Sequence, residues 1–345
     1  MKKMYYLPFA LIVAACAGEP EMANDPDPIA NAVDEQLYSQ ATALFKALPA
    51  QFDNPENTLT PEKIALGKAL YYDTRLSKDG NISCNSCHNL ETFGVDNLPF
   101  SPGDDGTLGD RNSPTVLNAA GHFAQFWDGR MADVEEQAGG PVLNPVEMAM
   151  PSEDFTVKRL KGVPEYQAMF AAAFPEDKDP ITFKNMQKAI GAFERTLATP
   201  TRWDKFLAGE KTALNAEELA GLKTFIDAGC ITCHTGANLG GHMFQKFGLM
   251  LNYWEHTGSK NVDDGRFKVT QNEADKFFFK VPGLRNITKT GPYFHDGSVA
   301  DLNKAVSVMA IVQLNKDLSE AEIASIVTFL NTLTGEVPAS ALASK

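Results

Sequence analysis

Beyond residue 60, apolar positions fall into short stretches with a three- and four-residue repeat, each bounded by capping residues. Thr60 opens one stretch, with Glu62 two residues on, and Ile64 and Leu70 supply its apolar face. Asn215 opens another in the same way, followed by Glu217 and then by Leu219, Leu222 and Phe225. Phe183, Met186, Ile190, Phe193 and Leu197 share one helical face, and Pro200 stops the run. Ser319 and Glu322 form a capping box ahead of Ile323, Ile326, Val327, Leu330 and Leu333, and Gly335 is predicted to end that helix. No stretch is rich in strand signals. The pattern predicts an all-α chain with long loops, in which a unit bounded by two helices occurs twice.

The N-terminus carries a different pattern. Lys2 and Lys3 precede an apolar run from Met4 to Ala15, which is too short to span a bilayer and reads as an export signal. It ends in Val13-Ala14-Ala15-Cys16, which resembles the lipoprotein signal in which the cysteine becomes the lipidated first residue. Cleavage near Ala15 or Ala17 as an ordinary signal peptide is the alternative. Residues 1–15 are therefore read as a signal peptide of lipoprotein type, and 16–34, with Glu19, Pro20, Asp25, Pro26, Asp27 and Pro28, as a flexible tether. The expected location is the periplasm, with a possible lipid anchor to the outer membrane through Cys16. The 345 residues suffice for two domains. A net charge of -13 argues against nucleic acid and anionic membranes as partners, and fits either a basic redox partner or plain solubility.

Candidate chemistry comes from the cysteines. Of five, Cys16 belongs to the export signal. The others form Cys84-Asn85-Ser86-Cys87-His88 and Cys230-Ile231-Thr232-Cys233-His234. C-x-x-C-H is the haem c attachment pattern: two thiols three positions apart reach the two vinyl groups of one porphyrin, and the next histidine ligates the iron. A zinc site leaves both histidines unexplained, a thioredoxin-like site lacks its βαβ setting, and a disulfide across two residues is strained. Two such motifs in an exported chain, using every remaining cysteine, predict two covalent haem c groups. Helix, haem motif, loops and closing helix is the layout of a class I cytochrome c domain. The expected architecture is two such domains related by internal duplication, at 35–200 and 201–337, with haem supplying much of each core.

The chain resembles the bacterial di-haem cytochrome c peroxidases from about residue 45 to 335. The motifs are Arg111-Asn112-Ser113-Pro114-Thr115, Phe126-Trp127-Asp128-Gly129-Arg130, Glu135-Glu136-Gln137 and Asn144-Pro145-Val146-Glu147-Met148 in a peroxidatic domain. Leu284-Arg285-Asn286 and Gly291-Pro292-Tyr293-Phe294-His295-Asp296-Gly297 mark an electron-transfer domain. The resemblance implies reduction of hydrogen peroxide to water, with electrons from a small cytochrome c or cupredoxin, by a homodimer. It implies Glu147 as the proton-shuttling group, Gln137 as the group that orients peroxide, and Trp127 between the haems. Met309 is implied as the sixth ligand of the second haem, His295 as a neighbour of the haem propionates, and Asn112, Thr290 and Pro292 as ligands of an inter-domain Ca²⁺.

The sequence departs from that family at the first haem. Most members carry a histidine there that caps the resting iron until the other haem is reduced. Its position is taken by Asp104, and the stretch from Asn89 to Gly121 contains neither His nor Met. The expectation is a first haem open to peroxide without reductive activation. A cap by His122, the nearest histidine in sequence, is the alternative. His242 and His256 are read as surface or loop residues. Rival classes are a pure electron-carrying di-haem cytochrome and a di-haem oxidase; Met309 and Glu147 count against the latter.

Overall fold

The computed structural model describes residues 1–4 and 34–342. Cys16, most of the export signal and the tether up to residue 33 lie outside the described residues. Thirteen helices occur among the described residues. They are α1 (Glu35–Leu44), α2 (Pro61–Tyr71), the single turn α3 (Cys84–Cys87), α4 (Val134–Leu143), α5 (Glu153–Lys161), α6 (Pro164–Ala173) and α7 (Phe183–Glu194), followed by α8 (Arg202–Leu207), α9 (Ala216–Ala228), α10 (Tyr253–Thr257), α11 (Phe267–Thr270), α12 (Leu302–Leu314) and α13 (Glu320–Asn331). The described strands are β1 (Phe244–Lys246) and β2 (Phe278–Lys280), antiparallel with Phe244 opposite Lys280. The chain is mostly helical, as expected, but the β1–β2 pair corrects the all-α expectation: Phe244–Lys246 and Phe278–Lys280 are too short to show a strand pattern in sequence and are set by pairing across more than thirty residues.

The capping residues act as their types dictate. Thr60 Oγ1 accepts from the Lys63 N–H at 3.2 Å, and Asn215 and Glu218 close a reciprocal box at 2.9 Å each way. Ser319 and Glu322 close another ahead of α13. Two predicted ends move. Helix α7 stops at Glu194, before Leu197, because Thr196 and Leu197 bond back only three residues, to Phe193 and Glu194. Helix α13 stops at Asn331, and Gly335 is no helix cap. Its N–H donates to Asn286 Oδ1 at 3.0 Å, and a Cβ there would lie 2.4 Å from the Thr199 carbonyl oxygen. Close approach of two chain segments, rather than helix termination, demands glycine there.

The apolar side chains form two main clusters. One gathers Leu66, Leu70, Met148, Phe170, Met186 and Ile190 from α2, α6, α7 and the loops between. The other gathers Trp203, Phe206, Leu222, Phe225, Phe329 and Leu330, together with Leu37, Ala41 and Phe45. Helix α1 thus packs on the second cluster, with the Phe45 ring edge-on to Trp203 at 5.3 Å, although it precedes the first. The C-terminal Ala341 packs in turn beside Tyr71 and Leu90 of the first half. The halves exchange their ends, and residues 34–342 belong to one compact unit.

Within that unit the backbone shows the same local figure twice. Asn118 and Asn286 both take left-handed φ (62° and 61°), and each is followed by a 3₁₀ turn. Phe126 and Phe294, then Gly129 and Gly297, repeat positive φ in the same order. Gln125 pairs with Met131 as Tyr293 pairs with Val299. Asn118 N–H donates to the Leu197 carbonyl and Asn286 N–H to that of Leu333. The two figures meet at the fully buried Thr199, whose Oγ1 accepts from Asn118 Nδ2 at 2.8 Å and Asn286 Nδ2 at 2.9 Å.

Candidate haem cavities

Each C-x-x-C-H segment follows a packed helix and opens onto its own cavity. In the first half, Ser83 N–H donates to Ser86 Oγ at 2.9 Å, closing the turn that presents Cys84 and Cys87. Tyr71, buried in α2, donates from its hydroxyl to the His88 carbonyl at 2.5 Å. In the second half, Gly229 (φ 96°) reverses the chain out of α9 into the turn that carries Cys230 and Cys233. His234 Nδ1 shares a hydrogen bond of 2.8 Å with the Leu239 carbonyl. A carbonyl can only accept, so Nδ1 carries the proton and Nε2 keeps its lone pair.

The first cavity is lined by Cys84, Cys87, His88, Gln137, Glu147 and Trp127, among others. The second is lined by Cys230, Cys233, His234, Met309 and His295. The four described thiols are unpaired. Burial lowers the pKa of both His88 and His234, the latter to about 4, so both imidazoles are neutral at pH 7. His295 Nε2 is a buried polar atom without a hydrogen-bond partner in the protein. Free thiol pairs and neutral imidazoles on apolar cavities are the donor set that haem c requires.

Glu147 is half-buried, and burial pushes its carboxyl above the ordinary range against the opposing Arg130 charge. Its N–H donates to the Asn144 carbonyl at 3.0 Å, and its carbonyl accepts from the Asp104 N–H at 2.7 Å. Gln137 lies on α4, whose N-cap Asp133 accepts from the Glu136 N–H at 2.8 Å. Trp127 and Asn112 line both cavities. Trp127 Nε1 donates to the Asn112 carbonyl at 2.8 Å. His295 stacks on Phe279 at 4.3 Å. Thr290 and Pro292 line the second cavity with Asn112, whose amide nitrogen donates to the Leu98 carbonyl at 2.8 Å. Among the described residues no cluster of three His, Cys, Asp or Glu could hold a metal, so an ion there would rest on Asn112 and backbone oxygens.

Asp104 is buried but does not line the first cavity. Its carboxylate accepts from the Asp79 N–H at 3.0 and 3.2 Å, and its carbonyl from Asn81 Nδ2 at 2.7 Å. His122 does line that cavity, with Nδ1 3.1 Å from Lys280 Nζ. His242 is exposed and His256 lies on α10. Sequence reasoning passed over Glu194 and Lys280, both buried on cavity walls. The signal for Lys280 was a lone lysine closing the aromatic run Phe277-Phe278-Phe279.

Comparison with known proteins agrees with this geometry. Residues 61–212 match the family described as di-haem cytochrome c peroxidase. The chain is 43% identical over 313 residues to the cytochrome c551 peroxidase of Pseudomonas aeruginosa, covering 90% of this chain and 89% of that one. It is 47% identical over 306 residues to the cytochrome c551 peroxidase of Nitrosomonas europaea, covering 88% and 89%. Among solved structures, it is similar to a MauG-like protein associated with microbial copper homeostasis, with TM-score 0.74, 31% identity and coverage of 87% and 96%. The chain belongs to the di-haem cytochrome c peroxidase family and is an oxidoreductase. Membership implies two haem c groups. No helix among the described residues is long and apolar enough to cross a membrane.

Proposed function

We propose that this protein reduces hydrogen peroxide to two waters in the periplasm, drawing two electrons from a small cytochrome c or cupredoxin and two protons from solvent. The carrying observation is that Glu147 and Gln137 share one cavity with His88, while Met309 shares the other with His234. Haem c held on each C-x-x-C-H segment supplies the redox chemistry. The residues do the rest. Glu147, whose carboxyl burial holds above the ordinary range, takes a proton from one peroxide oxygen and returns it to the other. Gln137 holds the peroxide by hydrogen bonding. Met309, on the wall of the second cavity, would serve with His234 as a ligand of a haem held there, which would close that site to substrate and suit a relay of high potential. Trp127, on both cavity walls, carries electrons between them, and Asn112, Thr290 and Pro292 bind Ca²⁺ at the junction of the halves. His295, on the wall of the second cavity, would help hold the propionates of a haem bound there.

Two domains related by duplication underlie this division of labour, and the repeated backbone figure supports that reading. The site is open in the oxidised state, because Asp104 is committed to the 79–81 turn and His122 to Lys280.

Glu147→Gln should lower kcat/KM by about 10²–10⁴-fold with unchanged haem content. Wild-type turnover in that variant would overturn the assignment. Oxidised enzyme should turn over peroxide at full rate without pre-reduction of the second haem; a lag relieved by pre-reduction would mean that another residue caps the first site.

A further inference from the structure

Lys280 carries a charge that the surrounding protein leaves uncompensated. The residue is 6% exposed, at the end of β2. Its ammonium lies 3.1 Å from His122 Nδ1, a neutral acceptor. Asp128, the carboxylate whose charge reaches it, is already held by Arg111 at 2.6 Å and Arg130 at 3.0 Å. Burial lowers its pKa to about 8, so it stays mostly protonated at pH 7. A buried cation without a paired anion is costly, and that cost marks a place where an anion binds.

Its position says which anion. Lys280 lines both cavities, and among the described residues it is the sole charged Lys, Arg, Asp or Glu on the wall of the second. It also sits at a repeated place in the fold: Lys280 N–H donates to the Trp127 carbonyl at 2.7 Å, as Asn112 N–H donates to the His295 carbonyl at 2.7 Å. Asn112 and Lys280 thus occupy equivalent places on the partition between the cavities. The groups that fill those cavities each bring carboxylates, the haem propionates.

We propose that Lys280, held by His122, is a carboxylate-binding site shared by the two cavities, taking a propionate from each haem so that one charge sets both reduction potentials. This rests on haem occupying both cavities. A cation near a haem disfavours the oxidised, more positive state, so its removal lowers the potential.

The test uses holoprotein purified with its haems attached. Intact mass first counts the haems; fewer than two in the wild type would refute the cofactor reading itself. With two present, spectroelectrochemical titration compares wild type, Lys280→Met and Lys280→Arg. In Lys280→Met the reduced-to-oxidised ratio of both haems at fixed potential should fall roughly tenfold, the scale of one charge acting through a protein interior. Lys280→Arg should restore it. No shift, or a shift in one haem alone, overturns the proposal. Should Lys280→Met fail to fold, the wild-type holoenzyme crystal structure decides. Propionate oxygens of both haems within hydrogen-bond reach of Nζ support the site, and Nζ bonded to His122 alone overturns it.

Discussion

Glu135 and Glu194 share one interior and reach opposite charge states. Burial pushes the Glu135 carboxyl up, but Arg195, with Nε and Nη2 each at 2.7 Å, and Asn57 at 2.9 Å outweigh it and hold it below the usual range. Burial and the nearby Glu135 charge push Glu194 up to about 8, so it is protonated at pH 7. The unfolded chain ionises this carboxyl above about pH 4.5, while the folded protein keeps it neutral until about 8. Folding therefore loses stability as pH rises through that window. Glu194→Gln should raise the Tm at pH 8, by an amount equivalent to a few kcal/mol, and leave it unchanged at pH 4. An equal effect at both pH values would show that Glu194 is not neutral in the fold. Arg195→Met should cost about 3–5 kcal/mol in denaturant unfolding, because it strands the Glu135 charge. At this scale the C-x-x-C-H segments were legible, since their spacing is itself the chemistry. Glu194 and Lys280 were not, because burial is a property of what other segments bring to them.

Between elements, two helix crossings organise the cavities. Helix α2 crosses α7 at Gly67, where a Cβ would lie 1.8 Å from the Ala189 carbonyl oxygen. Helix α9 crosses α13 at Gly221, where a Cβ would lie 2.1 Å from the Ser325 carbonyl oxygen. In an open helix, Gly→Ala is favourable by about 1 kcal/mol. Here the added methyl must push the packed helices apart, so Gly67→Ala should destabilise by about 1–3 kcal/mol, read as a lower urea midpoint at unchanged slope. A stabilised variant would mean that the crossing is looser than it stands. The helices themselves were readable from caps and periodicity. Their ends were less so: α7 and α13 stop where Leu197 and Leu333 must bond to Asn118 and Asn286 from distant loops.

Across the whole molecule, the halves are joined through Thr199 and through a charged clamp. Arg111 in the first half bonds Asp128 at 2.6 Å and, from the second half, Asp263 at 2.6 Å. Thr199→Val would leave the Asn118 and Asn286 amides without their buried acceptor. It should cost about 2–4 kcal/mol, while Thr199→Ser should be nearly neutral. Equal losses in both would point to packing rather than hydrogen bonding.

The sequence by itself determined the cofactor motifs, the capped helices beside them and the family, because each depends on residues close together in the chain. The placement of α1 illustrates the opposite case: it precedes the first cluster yet packs on the second, since Leu37 and Ala41 find their apolar partners there. Only the tertiary structure decided which side chains share the partition between the cavities, that Asp104 serves the 79–81 turn, and that Gly335 answers Thr199. Those outcomes depend on desolvation and close approach between segments far apart in sequence, which no local pattern encodes.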